Sequence, residues 1–133
     1  PLPLVESAIS LDPLGSTFAA VSAFTAAAWA HAVPATVIPN GIDLSRWYAG
    51  AAGGPAVWSG RLVPEKAPHA AMDACRRAGV PLVLVGPAHD EDYYRSEVEP
   101  RLGDGIEYAG HLTHAALGRL LRRASAAVVT PAW

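Results

Sequence analysis

The sequence has 133 residues, of which 51% are hydrophobic and 17% charged, with a formal net charge of -2. That is enough chain for one compact domain with its own core, and the composition is globular rather than disordered. There is no basic surplus to suggest nucleic acid or an anionic membrane as a partner.

Cys75 is the only cysteine, so no internal disulfide can form, in keeping with a reducing, cytoplasmic setting. No uninterrupted run of about 18 apolar residues is present, so no spanning helix is expected. Pro1-Leu2-Pro3-Leu4 lacks a positive n-region and does not read as a signal peptide. Alanine, arginine and proline are abundant and Lys66 is the only lysine, the bias of a GC-rich genome.

In chain order, Phe18 to Ser22 reads as a strand. Ser22 then caps an alanine-rich helix running to about His31, which Pro34 ends. Ala35 to Pro39 reads as a short strand around the β-branched Val37 and Ile38, with Asn40-Gly41 as a turn signal behind it. The small residues from Ala49 to Pro55 suit a flexible linker. Trp47 is expected to pack this hinge region against the sheet.

From there the pattern is regular. Ala56-Val57-Trp58 is a short apolar strand ending at Ser59-Gly60. Ala67, Ala70, Ala71, Ala74, Cys75 and Ala78 recur at helical spacing, Arg76 and Arg77 suit the last turn, and Gly79 stops the helix. Leu82-Val83-Leu84-Val85 is a continuous apolar run, as in a strand buried on both faces, and Gly86-Pro87 breaks it. A polar helix over His89 to Glu99 and a strand over Gly105 to Ala109 follow. Thr113 caps a helix whose buried face is Leu117, Leu120, Leu121 and Ala124, with Arg119, Arg122 and Arg123 on the wet side. Ala126 to Val129 is a fourth strand, and Trp133 is expected to be exposed at the chain's end.

This is β-α-β-α-β-α-β with short connections, which predicts an α/β fold with a Rossmann-like parallel sheet. Ligands of such sheets bind beyond the carboxyl ends of the strands. The segments to watch are therefore 59–66, 86–90, 110–113 and 130–133.

Gly60, Arg61 and Lys66 form the most informative constellation. Gly60 allows close backbone approach, Arg61 presents a planar fork of donors, and Lys66 adds a compact charge at a helix start. These are the parts of a diphosphate site, and equally those of an ordinary cationic surface. The five histidines, His31, His69, His89, His111 and His114, show no metal-binding spacing with a third ligand, and His111 and His114 suit turn and cap roles. His89-Asp90-Glu91-Asp92 reads mainly as favourable charge at a helix N-terminus. Cys75 and Trp58 read as core residues. No Gly-x-Gly-x-x-Gly follows the first strand and there is no Walker-type loop, which disfavours a dehydrogenase or a P-loop NTPase.

The series as a whole resembles the group 1 glycosyltransferases, a large retaining family of GT-B fold. Val37-Ile38-Pro39-Asn40-Gly41-Ile42-Asp43 is similar to the family's hinge motif, and Gly60-Arg61-Leu62 with Lys66 to its G-R-L and lysine. Leu82 to Pro87, Tyr108 to Leu112 and Ala124 to Pro131 are similar to its following segments, in order and at the expected spacing. The resemblance implies that residues 1–34 end an acceptor-side domain, 35–54 form the interdomain hinge and linker, and 55–133 are a truncated donor domain. It implies a nucleotide-diphosphate sugar as substrate. Arg61 and Lys66 would stabilise the departing nucleotide's charge, Gly60 and Gly86 would make room for the donor, and the backbone at His111-Leu112 would hold the base. No cofactor and no metal are implied, since a DxD-like motif is missing. Any membrane-peripheral role would belong to the missing domain.

Two departures stand out: Ala67 replaces the usual glycine after the lysine, and Ala126-Ala127 stands where Asp-Val is common. The family's E-P-F-G-x-x-x-x-E segment would begin just past Trp133. The chain alone is therefore expected to be inactive. The alternative is a non-catalytic Rossmann-like nucleotide-binding or scaffold module. The coding frame beyond Trp133 separates the two.

Overall fold

The computed structural model describes residues 15–131; Pro1 to Leu4 and Trp133 lie outside them. The chain divides into two compact units between Asp43 and Leu44.

The first unit is a small β-α-β arrangement. Strand β1 (Phe18–Ala20) pairs in parallel with β2 (Ala35–Val37), Phe18 opposite Ala35 and Ala20 opposite Val37. Helix α1 (Ala23–Trp29) joins them, and the Ser22 hydroxyl accepts from the Thr25 N–H, so the expected cap is in place. Asn40-Gly41 forms no turn, and Gly41 does not take a positive φ.

The second unit holds a four-stranded, all-parallel sheet: β3 (Ala56–Ser59), β4 (Leu82–Val85), β5 (Ile106–Tyr108) and β6 (Ala127–Val128), in spatial order β5-β4-β3-β6. Counted within the unit, that order is 3-2-1-4. The chain winds outward from β3 and then crosses back to lay β6 on its other side. The direction of winding reverses between β3 and β6, and this is where doubly wound sheets bind their ligands.

Helix α2 (Pro68–Ala78) follows β3, and its buried residues are Pro68, Ala71, Met72 and Cys75. Ala74 and Ala78, expected on the buried face, are exposed, and Ala67 precedes the helix. Alanine is small and neutral enough to sit on either face, whereas the long apolar Met72 marks the face that matters. At Gly79 the backbone turns left-handed (φ 65°), and the Val80 N–H reaches the Cys75 carbonyl at 3.0 Å, closing the helix.

The next helical stretch, α3, starts at Glu91–Tyr93 behind an Asp90 cap, widens to a π turn over Tyr94–Val98 and tightens to a 3-10 turn over Glu99–Arg101. It was expected as one polar helix. Tyr93 and Val98 are both buried although five residues apart, and a five-residue turn brings that spacing to one side of a helix where an α turn does not. Arg101 fixes it to α2 through Asp73 at 3.2 Å.

Helix α4 (His114–Leu121) carries the expected Thr113 cap, which accepts from the Ala116 N–H. Its only buried residue is Gly118; Leu117, Leu120 and Leu121 are half-buried rather than core. Strand β6 is two residues long, and Val129 beyond it is 79% exposed. The stretch read as a flexible linker is tied down: the Gly54 N–H donates to the Arg123 carbonyl at 2.6 Å, and a side chain on Gly50 would overlap the Arg122 carbonyl. Trp47 packs edge-on to His114 and beside Gly118 of α4.

The core lies between the sheet and α2–α3. Leu62, Met72, Leu82, Leu84, Val98 and Ile106 are all but fully buried there. Each contributes about 1.5–3 kcal/mol by leaving water.

Candidate functional site

The site is the carboxyl edge of the second unit's sheet. The turns after β3, β4 and β5 are laced together there by backbone hydrogen bonds. Gly60 N–H donates to the Val85 carbonyl at 2.9 Å, Gly86 N–H to the Gly110 carbonyl at 2.9 Å, and Leu62 N–H to the Pro87 carbonyl at 3.0 Å. The Tyr108 hydroxyl donates to the Gly86 carbonyl at 2.7 Å.

This lacing explains the glycines. Gly86 has φ 142°, a region that side-chain-bearing residues avoid, and any Cβ there would overlap the Gly60 carbonyl oxygen. Gly60 in turn lies against the Trp58 ring, 3.0 Å from where its Cβ would stand. Gly60, Gly86 and Gly110 thus form a row of bare backbone over the strand tips, and His111 and Leu112 continue directly from its end. His111 is exposed and Leu112 half-buried.

The two candidate cations leave β3 in one excursion. Arg61 is more than half exposed and lies 3.8 Å from Glu65, a solvent-exposed pair of little energetic weight. Its guanidinium can exchange that carboxylate for another anion at small cost. Lys66 ends the 3-10 turn Pro64–Lys66 and is half-buried. Ala67 follows as the cap of α2 with φ 46° and ψ 51°. That left-handed conformation is the physical reason a glycine fits there; alanine adopts it only with strain. Pro68 opens α2 with no N–H to offer, as suits a first helical position.

One contributor escaped the sequence reading. The Thr130 hydroxyl, just past β6, accepts from Trp58 Nε1 at 3.1 Å and reaches the carbonyls of Ala67 at 2.9 Å and Lys66 at 3.3 Å. It lies at a strand's carboxyl end, within the Ala124 to Pro131 stretch that resembles the family, but nothing in that stretch singled it out.

Asp90, Glu91, Cys75 and His69 make structural contacts. Asp90 caps α3 by accepting from the Tyr93 N–H at 2.9 Å, and Glu91 pairs with Arg95. Cys75 is buried, and burial pushes its thiol pKa up, away from nucleophilic use. His69 Nδ1 lies 2.6 Å from the Tyr93 hydroxyl, inside the packing of α2 on α3. Among the described residues no group of three histidine, cysteine or acidic side chains could hold a metal, and no helix is long and apolar enough to cross a membrane.

No family model matches the chain. It is 38% identical over 105 residues to the glycogen synthases of two Mycobacterium tuberculosis strains, CDC 1551 / Oshkosh and ATCC 25618 / H37Rv. That match covers 71% of the chain and 25% of each relative, so the chain spans a quarter of the length of the curated relatives it matches. Among solved structures it resembles AviGT4, a glycosyltransferase involved in avilamycin A biosynthesis. The TM-score is 0.68 and the identity 28%, over 80% of this chain and 33% of that one.

Proposed function

We propose, from the premise that this chain belongs to the GT-B glycosyltransferases and is part of one, that the whole protein is a retaining sugar transferase using a nucleotide-diphosphate sugar. The observation that carries this reading is the row of glycine backbone over the strand tips, with Arg61 and Lys66 leaving β3 beside the point where the winding reverses. Bare backbone admits a bulky ligand closely, and fixed cations stabilise the charge that gathers on a departing nucleoside diphosphate. Arg61 grips the phosphates with its planar fork, Lys66 adds a point charge, and the backbone at His111-Leu112 lines the base. No metal is required in this scheme. The donor domain, read as residues 55–133, extends back to Leu44 with the second compact unit, and activity belongs to the whole protein.

The likeness to the glycogen synthases supports sugar transfer as the reaction. The test is nucleotide binding by the full-length protein. UDP, GDP and ADP are compared in thermal unfolding, where one of them at 100 times its dissociation constant should add about 2.7 kcal/mol. If none shifts the transition, the reading fails. Arg61→Ala or Lys66→Ala should each weaken the effective nucleotide about 10- to 100-fold, the loss of one charged hydrogen bond.

A further inference from the structure

The geometry points to Thr130 as a positioning residue for Lys66, an inference that rests on the diphosphate reading above. The backbone pairing of β3 with β6 ends at Trp58 and Val128. Two residues further on, Thr130 spans the reversal point with its side chain alone. A hydroxyl has one hydrogen to give and lone pairs to receive, and this one uses both capacities. It receives the Trp58 indole hydrogen at 3.1 Å and gives its own to the Ala67 carbonyl at 2.9 Å, with the Lys66 carbonyl a longer second acceptor at 3.3 Å.

The carbonyls it holds belong to Lys66 itself and to the left-handed residue after it. Ala67 at φ 46° is a strained corner that persists only where its surroundings hold it. Thr130 is an external support: it ties the corner to Trp58, a buried residue of β3. The Lys66 side chain therefore leaves from backbone fixed relative to the tip of β3, where Gly60 and Arg61 begin. Without the hydroxyl the corner loses this tie to β3, while the bonds of the Lys66 and Ala67 N–H groups to the Val63 and Pro64 carbonyls stay. The charge stays on the protein, on backbone no longer tied to the tip of β3.

The experiment is a double-mutant cycle in the full-length protein. UDP, GDP and ADP are titrated by calorimetry, and urea unfolding is followed on the same samples. Thr130→Val keeps shape and branching but removes the hydroxyl, and should weaken the binding nucleotide 5- to 20-fold. Thr130→Ser restores the hydroxyl and should return affinity to within 2-fold of wild type. In a Lys66→Ala background, Thr130→Val should cost less than 2-fold more, because the group it positions is gone.

Failure of Lys66→Ala to weaken any nucleotide overturns the diphosphate reading and this inference with it. A loss with Lys66→Ala but none with Thr130→Val overturns this inference alone. So does a Thr130→Val loss that multiplies in full with that of Lys66→Ala, or one that Thr130→Ser shares. Should Thr130→Val not fold, Trp58→Phe, which removes the indole donor, takes its place in the cycle with the same expectations.

Discussion

The Gly60 carbonyl oxygen fills the place where a side chain on Gly86 would begin. The two turns over the β3 and β4 tips are thus in contact through backbone, with no room for adjustment. Gly86→Ala combines this overlap with an unfavourable φ of 142° and should destabilise the protein by more than about 2 kcal/mol in urea unfolding. Gly103→Ala is the control. Gly103 has φ 97° but open space around its Cβ position, so only backbone strain of about 1–2 kcal/mol applies. Equal losses at the two sites would show that the contact is soft.

Ala67 sits in a conformation suited to glycine. Ala67→Gly relieves strain of about 1–2 kcal/mol but loosens the unfolded chain by about 0.4–1 kcal/mol. The net expectation is unchanged or raised stability, by up to about 1.5 kcal/mol. A clear loss in urea midpoint would mean that the Ala67 methyl, in a residue only 4% exposed, packs more favourably than its backbone is strained.

Glu65 competes for Arg61. The pair is exposed and contributes at most about 1 kcal/mol. Removing the carboxylate charge with Glu65→Gln should leave stability nearly unchanged and tighten nucleotide binding about 2- to 5-fold at low salt. The gain should shrink as salt is added. Weaker binding in this variant would place Glu65 on the ligand's side of the contact.

Burial pushes the Cys75 thiol and the Tyr93 and Tyr108 phenols above their ordinary pKa values. The folded protein therefore holds these protons more tightly than the unfolded chain does. Stability from these groups is fully present below the unfolded values, about 8.5 for cysteine and about 10 for tyrosine, and is lost as pH rises through the folded ones. Urea midpoints should fall between pH 8.5 and pH 11. Tyr93→Phe, whatever its effect at neutral pH, should flatten the upper part of that fall, and Cys75→Ala the lower part. An unchanged slope in both variants would contradict the assignment.

The alternation of strands and helices and the strand positions were legible because each rests on a strong local signal. Leu82 to Val85 is too short and too apolar for anything but a buried strand, and Ser22, Thr113 and Gly79 cap where their chemistry requires. Gly60, Gly86 and the turn at 110–112 were legible as one edge because a parallel sheet brings all its strand ends to one side. The face of α2 was misread because alanine periodicity carries little free energy. The wide turn in α3 was missed because it answers to the burial of Tyr93 and Val98 in three dimensions, not to spacing along the chain. Thr130 was invisible for a related reason: a hydroxyl's partners at 63 and 64 residues' separation leave no pattern in a single sequence.

That separation bears on how the molecule is made. A ribosome releases the Lys66 turn, then α2, β4, α3 and β5, before it reaches the residue that secures the turn. Everything up to Tyr108 can collapse around Leu82 and Leu84 before the corner at Ala67 gains its tie to Trp58 through Thr130. The tie between the Ala67 corner and the tip of β3 is therefore among the last contacts of this sheet to form. A nascent chain paused short of residue 130 would carry a formed core and an untied corner.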